Sequence, residues 1–590
     1  MKPNKILRWL CSGILTGLSV WGWVYTRPEP ITEWTFVNVF SLILFGALFL
    51  AIYFFALPLI DGRSLRYSAP IGLFFGLCTA CGAEIFRNDS LDYSLTGVAQ
   101  KVWFTICIGM VSTAAVILIL RRLPEFVAAK KGYQLSPSAV FFISWGVMLV
   151  CWLPCYIAFF PGIFAYDIPT QLAGISQGDL SADHPLLHTI IAWICIVIGN
   201  AIHSYTIGAA IYSLLQMLAL SASFAACVAY LQRKGVSLVW QALSLAWFAF
   251  LPMHPLFAIN ATKDVLFAAC TVMFLLITAE LLSRPKECLR SIPFWICYTL
   301  SVIIMALMRN TGIYVFFVFI PILMVLLPRR RLLALALGVL CVVSFYGTQT
   351  ALNLALDVKD GRFTETLSVP LQQVARCAYD GVLSEKDLAE VERYIPKEVW
   401  KQYSSRLADP VKNNMAQGDL VEDPVGFVRL WCKLAVRHPA SYIDAFLGLN
   451  IGFWYPDMQY PDTRTWHDYI ETGIKPVSEE IVIYDQDLWP AARSFYKTIA
   501  KKTDFESIPL ISLLFKPGIY FWLTLCLLGA SLFYRKRTAG GVLAFLILSW
   551  LLQLLSPIAL VRYAYPLMVS VPLLGGCFAE KNENIIEKKR

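Results

Sequence analysis

The stretch AVFFISWGVMLVCWLPCYIAFFPGIFAYDIPT, residues 139 to 170, decides the fold of this chain. Residues 139 to 160 are apolar and uncharged, and an apolar run of about 18 residues or more is typical of a transmembrane helix. The first acidic residue after this run is Asp167. The sequence therefore places a carboxylate directly beyond the end of a membrane span.

Similar apolar runs recur along the 590 residues. The chain is 58% hydrophobic and 15% charged, with a mean hydropathy of +0.62, whereas a soluble domain carries about 25% charged residues. These values predict an all-α polytopic integral membrane protein with about 14 transmembrane helices. The spans are expected near residues 7–25, 36–58, 69–86, 102–120, 139–160, 205–231, 237–257, 263–283, 291–308, 311–328, 332–350, 513–534, 540–560 and 563–579.

Charge divides the chain into regions. Residues 351–510 carry 24 acidic and 18 basic side chains, a net charge of −6, whereas the whole chain has a net charge of +9. The basic excess suits cytoplasmic loops, and no basic stripe with interleaved aromatic residues indicates a nucleic acid partner. We expect an N-terminal four-span region (1–138), a membrane core (139–350) with a main outer loop (161–204), a small, mainly helical extracytoplasmic domain (351–511), and a C-terminal three-span region with a cytoplasmic tail (512–590).

The positions of Lys and Arg predict which way the chain is oriented, because cytoplasmic loops are rich in both. Basic clusters alternate with sparse loops only if residues 185–203 do not cross the membrane. This stretch is therefore predicted to be a juxtamembrane or re-entrant helix, with both chain termini in the cytoplasm. In the alternative, residues 185–203 cross and one basic loop faces outward. The basic clusters are Lys2/Lys5/Arg8, Arg63/Arg66, Arg121/Arg122/Lys130/Lys131, Arg233/Lys234, Arg284/Lys286/Arg290, Arg329–Arg331 and Arg535–Arg537.

Several polar residues fall at the predicted outer ends of the spans, where charge is costly and usually functional. A carboxylate can take a proton from an acceptor hydroxyl, and Arg or Lys can bind a phosphate whose charge grows in the transition state. We assign Asp167 as the candidate catalytic base. Candidates for binding the donor phosphate or substrate are Lys263, Asp264, Arg309, Arg562 and Tyr563, with Asp183, His184 and His188 in support.

Structural interpretations compete with these roles. Asp167 could serve as the N-cap of the helix DIPTQLAGI and have no other role. Lys263 and Asp264 could simply pair with each other at a span end. His184 and His188, at i and i+4, share a helix face that could bind a metal. No third ligand is evident, so no metal site is assigned. Asp179 or Asp183 could supply a carboxylate ligand, so binding of a divalent cation stays an alternative. Tyr563 and Arg562 also suit an aromatic belt at the membrane interface.

The arrangement resembles the polytopic GT-C glycosyltransferases of the dolichyl-phosphate-mannose–protein mannosyltransferase type. The resemblance rests on FPGIFAYDIPTQ followed by DHPLLHTII, and more weakly on NATKDVLFA, RNTGIY and VRYAYP, mainly within residues 140 to 330. It implies that Asp167 is the catalytic carboxylate, that the DHP turn at 183–185 opens a juxtamembrane helix, and that Asp264 is an additional acid. The sequence departs from the family in two ways. It has the single Asp167 where many members have an Asp-Glu pair, and its first four spans are an N-terminal addition to the usual topology.

The expected function is transfer of a sugar from a polyprenyl-phosphate donor to an extracytoplasmic glycan, lipid or protein in cell-envelope glycan synthesis. The sequence resembles a bacterial branch, which implies the plasma membrane. Two other classes stay open, a transporter or flippase of lipid-linked glycans and a non-catalytic assembly protein. A transporter usually has charges near the membrane midplane and an internal repeat, and neither is evident here.

Overall fold

The computed structural model describes residues 5–26, 39–127, 135–361, 366–458, 468–501 and 511–579, and most of these residues are helical. Within these ranges β structure is limited to isolated bridges, so the all-α prediction is confirmed. The helices are α1 (Lys5–Thr26), α2 (Val39–Ala51), α3 (Gly62–Asn88), α4 (Leu95–Val127), α5 (Pro137–Ala158), α6 (Ile168–Ser176), α7 (Leu186–Ala201), α8 (Tyr205–Arg233), α9 (Leu238–Phe250), α10 (Met253–Ala258), α11 (Lys263–Ser283), α12 (Pro285–Cys288), α13 (Ile292–Met308), α14 (Thr311–Leu326), α15 (Arg331–Ala355), α16 (Ser368–Tyr379), α17 (Glu385–Tyr394), α18 (Lys397–Trp400), α19 (Asp409–Asn414), α20 (Gln417–Glu422), α21 (Pro424–Arg437), α22 (Pro439–Trp454), α23 (Pro490–Lys501), α24 (Pro517–Tyr534), α25 (Arg537–Gln553), α26 (Val561–Ser570) and α27 (Leu574–Ala579).

Seven of the described helices are long and apolar enough to cross a membrane, namely α3, α4, α5, α8, α11, α15 and α24. Shorter apolar helices include α7, α9, α13, α14 and α25. The chain is thus a membrane-embedded helical protein, but helix length supports fewer than the fourteen predicted spans. Two of those spans are interrupted at prolines, because Pro252 separates α9 from α10 and Pro572 separates α26 from α27.

One end of the helix bundle, which we call the basic end, holds the described basic residues at 63–66, 121–122, 233–234, 284–290, 329–331 and 535–537. Arg233, the last residue of α8, pairs with Glu280 near the end of α11 at 2.9 Å. The backbone of Ser237, before α9, bonds to the carbonyl of Val127 at the end of α4. Further contacts at this end are Arg63–Phe533, Arg121–Asp61 and Gly541–Leu282. The opposite end, where α8 and α11 begin, is called the site end.

Helix α7 crosses α8 near the site end. A Cβ on Gly199 would lie 2.4 Å from the backbone of Gly208, and His188 is 2.8 Å from the Tyr212 hydroxyl. These contacts fall within the first eight residues of α8, although the 16-residue α7 is about 24 Å long. Helix α7 therefore lies across the start of α8 instead of following it to Arg233.

The segment predicted as one domain at 351–511 is divided in the structure. Helices α16 to α21 enclose a separate hydrophobic core that includes Leu371, Val391 and Leu430. The end of α22 packs instead on the bundle, because the indoles of Trp522 and Trp550 donate to backbone carbonyls of residues 454 and 453. Residues 468–501 also pack against the bundle core. A compact lobe thus stands at the site end, and the following segments form part of the site itself.

Candidate functional site

Three loops meet at the site end and are joined by backbone hydrogen bonds. The N–H of Ile163 donates to Ile259 at 2.9 Å, and that of Ala261 donates back to Ile163 at 2.8 Å. Phe164 donates to Gly473, and Lys475 donates to Phe164. The first loop, which leads to Asp167, is therefore held between the segment before α11 and the segment after residue 468.

The turn after α5 requires glycine. Gly162 has φ of +135°, a conformation that L side chains rarely adopt. A Cβ at this position would lie 1.9 Å from Ser213 Oγ on α8. The close approach brings the first loop directly onto α8, so that Asp167 faces the start of α11.

Asp167 belongs to an ion-pair cluster. Its Oδ2 lies 3.1 Å from Lys263 Nζ and 3.8 Å from Arg562 Nη1. Asp167 occupies the N-cap position of α6, yet its side chain makes no capping hydrogen bond. Capping alone is therefore the wrong interpretation, because the carboxylate faces the cations. The side chain of Asp167 is 33% exposed, so solvent reaches it.

Asp264 forms the buried half of the same cluster. Its side chain has 0% exposure, with Oδ1 2.8 Å from Arg309 Nη1 and Oδ2 3.6 Å from Arg562 Nε. Thr262 donates to Oδ2 at 3.4 Å. The arginines come from the end of α13 and the start of α26, so this carboxylate joins three helices. The alternative in which Lys263 pairs only with Asp264 is wrong, since the two side chains bind different partners.

Aromatic rings enclose the arginines. The guanidinium of Arg562 lies 4.2 Å from the ring centroid of Tyr166 and 5.0 Å from that of Tyr563. Arg309 lies 4.7 Å from the same Tyr563 ring. The predicted residue Tyr563 is thus in the site, between two cations, where cation–π attraction favours their positive charge.

The charges of the cluster leave a surplus. Lys263, Arg309 and Arg562 face Asp167 and Asp264, which gives a net charge of +1 with neutral histidine. Buried nitrogens of both arginines, Nη1 of Arg309 and Nε and Nη1 of Arg562, lie within ion-pair distance of carboxylates but have no aligned hydrogen-bond acceptor among the described residues. Buried donors are normally satisfied. The arrangement therefore suits an added anion.

The environment of Asp167 sets its protonation state. Burial alone would raise the pKa of Asp167, but Lys263, Arg562 and His184 together lower it well below its ordinary range. The carboxylate is consequently ionised at neutral pH and a weak base while it is paired. Anything that draws Lys263 away raises the pKa of Asp167 and makes the carboxylate more basic.

The remaining acidic and histidine candidates divide between the site and its border. His184 Nδ1 lies 3.5 Å from Lys263 Nζ, so His184 borders the cluster. The carboxylate of Asp183 lies beside Gly361. Asp179 pairs with Lys359 on the surface at 2.8 Å. Among the described residues, no group of three or more His, Cys, Asp or Glu side chains is placed to hold a metal ion.

His188 lies in a buried hydrogen-bond chain behind the ion pairs. Its Nδ1 is 2.7 Å from Gln171 Oε1, and its Nε2 is 2.8 Å from the Tyr212 hydroxyl. Tyr212 donates to Gln216, whose amide donates to carbonyls of residues 257, 258 and 260. Both ring nitrogens are occupied, so His188 does not share a metal with His184. The chain links α6 and α7 to the segment before α11.

Sequence reasoning missed several residues of this site. Tyr166 stacks on Arg562 and accepts a hydrogen bond from the backbone of Glu471 at 3.0 Å. Its place beside Asp167 in the chain was the only available signal. Glu471 and Gln216 carry no such signal, because each is brought to the site from a distant part of the chain.

The chain belongs to DUF6020, a family of unknown function, whose model matches residues 3–590. No curated protein matches the chain. No solved structure matches it either. The GT-C resemblance therefore stays a prediction that rests on the residues of the site.

Proposed function

We propose that this protein is a membrane glycosyltransferase that moves a sugar from a polyprenyl-phosphate donor to an extracytoplasmic acceptor in cell-envelope glycan synthesis. One observation carries the proposal: Asp167, a partly exposed carboxylate, lies within ion-pair distance of two cations at one end of an apolar bundle. Those are the groups that proton removal from a hydroxyl and stabilisation of a leaving phosphate require.

The cations provide the binding site for phosphate. Lys263, whose side chain is 16% exposed, pairs with the partly exposed Asp167, whereas Arg309 and Arg562, 12% and 8% exposed, pair with the buried Asp264. Their unsaturated hydrogen-bonding capacity and the net charge of +1 favour a phosphate over a neutral ligand. The negative charge on the phosphate oxygens grows as the bond to the sugar breaks, so these cations stabilise the transition state more than the ground state.

The two carboxylates have different tasks in this proposal. Asp264 is fully buried and holds Arg309 and Arg562 in place. Asp167 is open to solvent and acts as the general base. The acceptor oxygen forms a bond with the anomeric carbon of the sugar, its proton passes to Asp167, and the bond between that carbon and the phosphate oxygen breaks. The polyprenyl phosphate leaves with the electron pair.

Binding of the donor also activates the base. Lys263 pairs with Asp167 when no phosphate is present and lowers the pKa of that carboxylate. A donor phosphate that takes Lys263 as its partner weakens this pairing and raises the basicity of Asp167. The carboxylate then becomes an effective base only when the donor is bound, which limits the reaction of acceptor or water with an empty site.

The orientation follows from the shared position of the basic clusters. If the basic end is cytoplasmic, as the positive-inside rule requires, the site end faces outward and both termini are cytoplasmic. The donor then keeps its polyprenyl chain in the bilayer while a glycan, lipid or protein acceptor arrives from outside. For a member of a bacterial branch this places the site on the outer face of the plasma membrane. No metal or other cofactor is assigned to the reaction.

A reconstitution experiment tests the proposal. Protein in liposomes receives labelled polyprenyl-phosphate sugars, and release of polyprenyl phosphate with transfer of label to an acceptor is measured. The Asp167→Asn variant is expected to lose this release, whereas Asp179→Asn, a control in the same loop but on the surface, retains it. Movement of intact donor between leaflets without release would instead favour the transporter.

A further inference from the structure

A groove between α13 and α15 lies far from the ion-pair cluster, toward the basic end. Its volume is about 590 Å³, within the range of ligand pockets. The walls are largely apolar and include Ile296, Leu300 and Leu340. Each of these side chains is more than 40% exposed on the outer surface of the bundle. Because these helices belong to a membrane-embedded bundle, the occupant of this groove comes from the bilayer.

The dimensions of the groove match a single lipid chain. Along α13 it extends from Ile292 to Ile303, and eleven residue steps of an α-helix cover about 16 Å. One leaflet accounts for half of the hydrocarbon core, or about 15 Å. The groove therefore starts near the membrane surface at the basic end and reaches the midplane, as an acyl chain in that leaflet does.

The mouth of the groove is positively charged. Arg290 lines it, just before α13, and α15 begins after the run from Arg329 to Arg331 at the same end. No ion pair within the described part of the chain involves these arginines, because the nearby acids Glu280 and Glu287 pair with other residues. An uncompensated cluster of arginines at the end of an apolar groove attracts an anionic headgroup.

We propose that this groove binds one anionic glycerophospholipid, with an acyl chain along α13 and α15 and the phosphate at Arg290. The site is independent of the glycosyl-transfer proposal, because it lies in the opposite half of the bundle and uses none of its residues. Its ligand is a structural or regulatory lipid of the leaflet at the basic end.

The test uses the full chain, delipidated in detergent and titrated with phosphatidylglycerol or phosphatidylcholine in mixed micelles. Lipid binding is followed through the thermal unfolding midpoint, and native mass spectrometry counts the retained lipids. Wild type should bind phosphatidylglycerol more tightly. Arg290→Gln should weaken phosphatidylglycerol binding about fivefold, the effect of one surface charge, and weaken phosphatidylcholine binding less, because choline balances the charge of its phosphate. Leu300→Trp should fill the groove and weaken binding of both lipids.

Two matched variants separate the groove from general effects. Arg66 is another exposed arginine of the basic end without an ion pair among the described residues, and Ile143 on α5 is 51% exposed, close to the 49% of Leu300. Arg66→Gln and Ile143→Trp should bind both lipids as wild type does. Equal affinity of wild type for the two lipids, equal losses in Arg66→Gln and Arg290→Gln, or unchanged binding in Leu300→Trp would each overturn the proposal.

Discussion

Replacing Asp264 with Asn should destabilise the protein strongly. The carboxylate has no exposed surface and lies within ion-pair distance of Arg309 and Arg562, and Asn keeps its shape but not its charge. Removing one partner of a buried ion pair costs about 3–5 kcal/mol, since the other charge stays buried without compensation. The lower half of that range is expected, because Asp167 still lies 3.8 Å from Arg562 and Tyr563 still faces both arginines.

The assay is denaturant unfolding in detergent, followed by tryptophan fluorescence. A second substitution shows the cause: Arg309→Met should destabilise the wild type but recover stability in the Asp264→Asn background, because it removes a buried unpaired charge. Asp179→Asn serves as the surface control and should change stability by less than about 1 kcal/mol. If Asp264→Asn matched this control, or if Arg309→Met were equally harmful in both backgrounds, the cluster could not be the buried ion network described above.

Three further outcomes can be checked separately. Asp167→Asn should lower donor turnover about a hundredfold or more, the scale of general-base removal, while Asp179→Asn turns over normally. Because the folded-state pKa of Asp167 is depressed, its stabilising charge is complete above about pH 4; the stability difference between wild type and Asp167→Asn should therefore hold constant from pH 8 to pH 5 and shrink only below about pH 4. Gly162→Ala should lose stability and site geometry through strain of about 1–3 kcal/mol plus its clash with Ser213, whereas Gly178→Ala, at positive φ in open space, should cost only the strain.

The sequence predicted the helical membrane class and the meeting of distant charged residues, because apolar runs and charges at their ends are local signals. Asp167, Lys263 and Arg562 were each identified in this way, and the structure brings them together. Helix ends and the division of 351–511 were less predictable. Prolines interrupt the helix within an apolar run while the run as a whole stays apolar, so hydropathy does not show where a helix ends. Whether an apolar helix such as α22 joins a lobe or the bundle depends on tertiary packing.

Pairing within the cluster could not be read from local spacing either. Lys263 and Asp264 are adjacent in the chain, which favours a simple pair, yet consecutive residues of a helix point in different directions. Lys263 therefore turns toward the first loop and Asp264 toward α13 and α26. The hydrogen-bond chain through His188 was also beyond reach, since its members are distributed over three helices and the two links of His188 itself, to Gln171 and to Tyr212, are tertiary contacts.

Stability alone does not explain why the chain keeps these charges. Buried ion pairs generally contribute little compared with apolar residues of the same size, and replacing them is often neutral or stabilising. Burying charges costs more free energy at the end of an apolar bundle, yet Asp264, Arg309 and Arg562 remain buried there. Asp167, 33% exposed, lies at the border with Lys263 beside it. A fixed inner layer and an accessible outer pair are what a site needs if a phosphate is to exchange partners with Asp167 without disturbing the helices behind it.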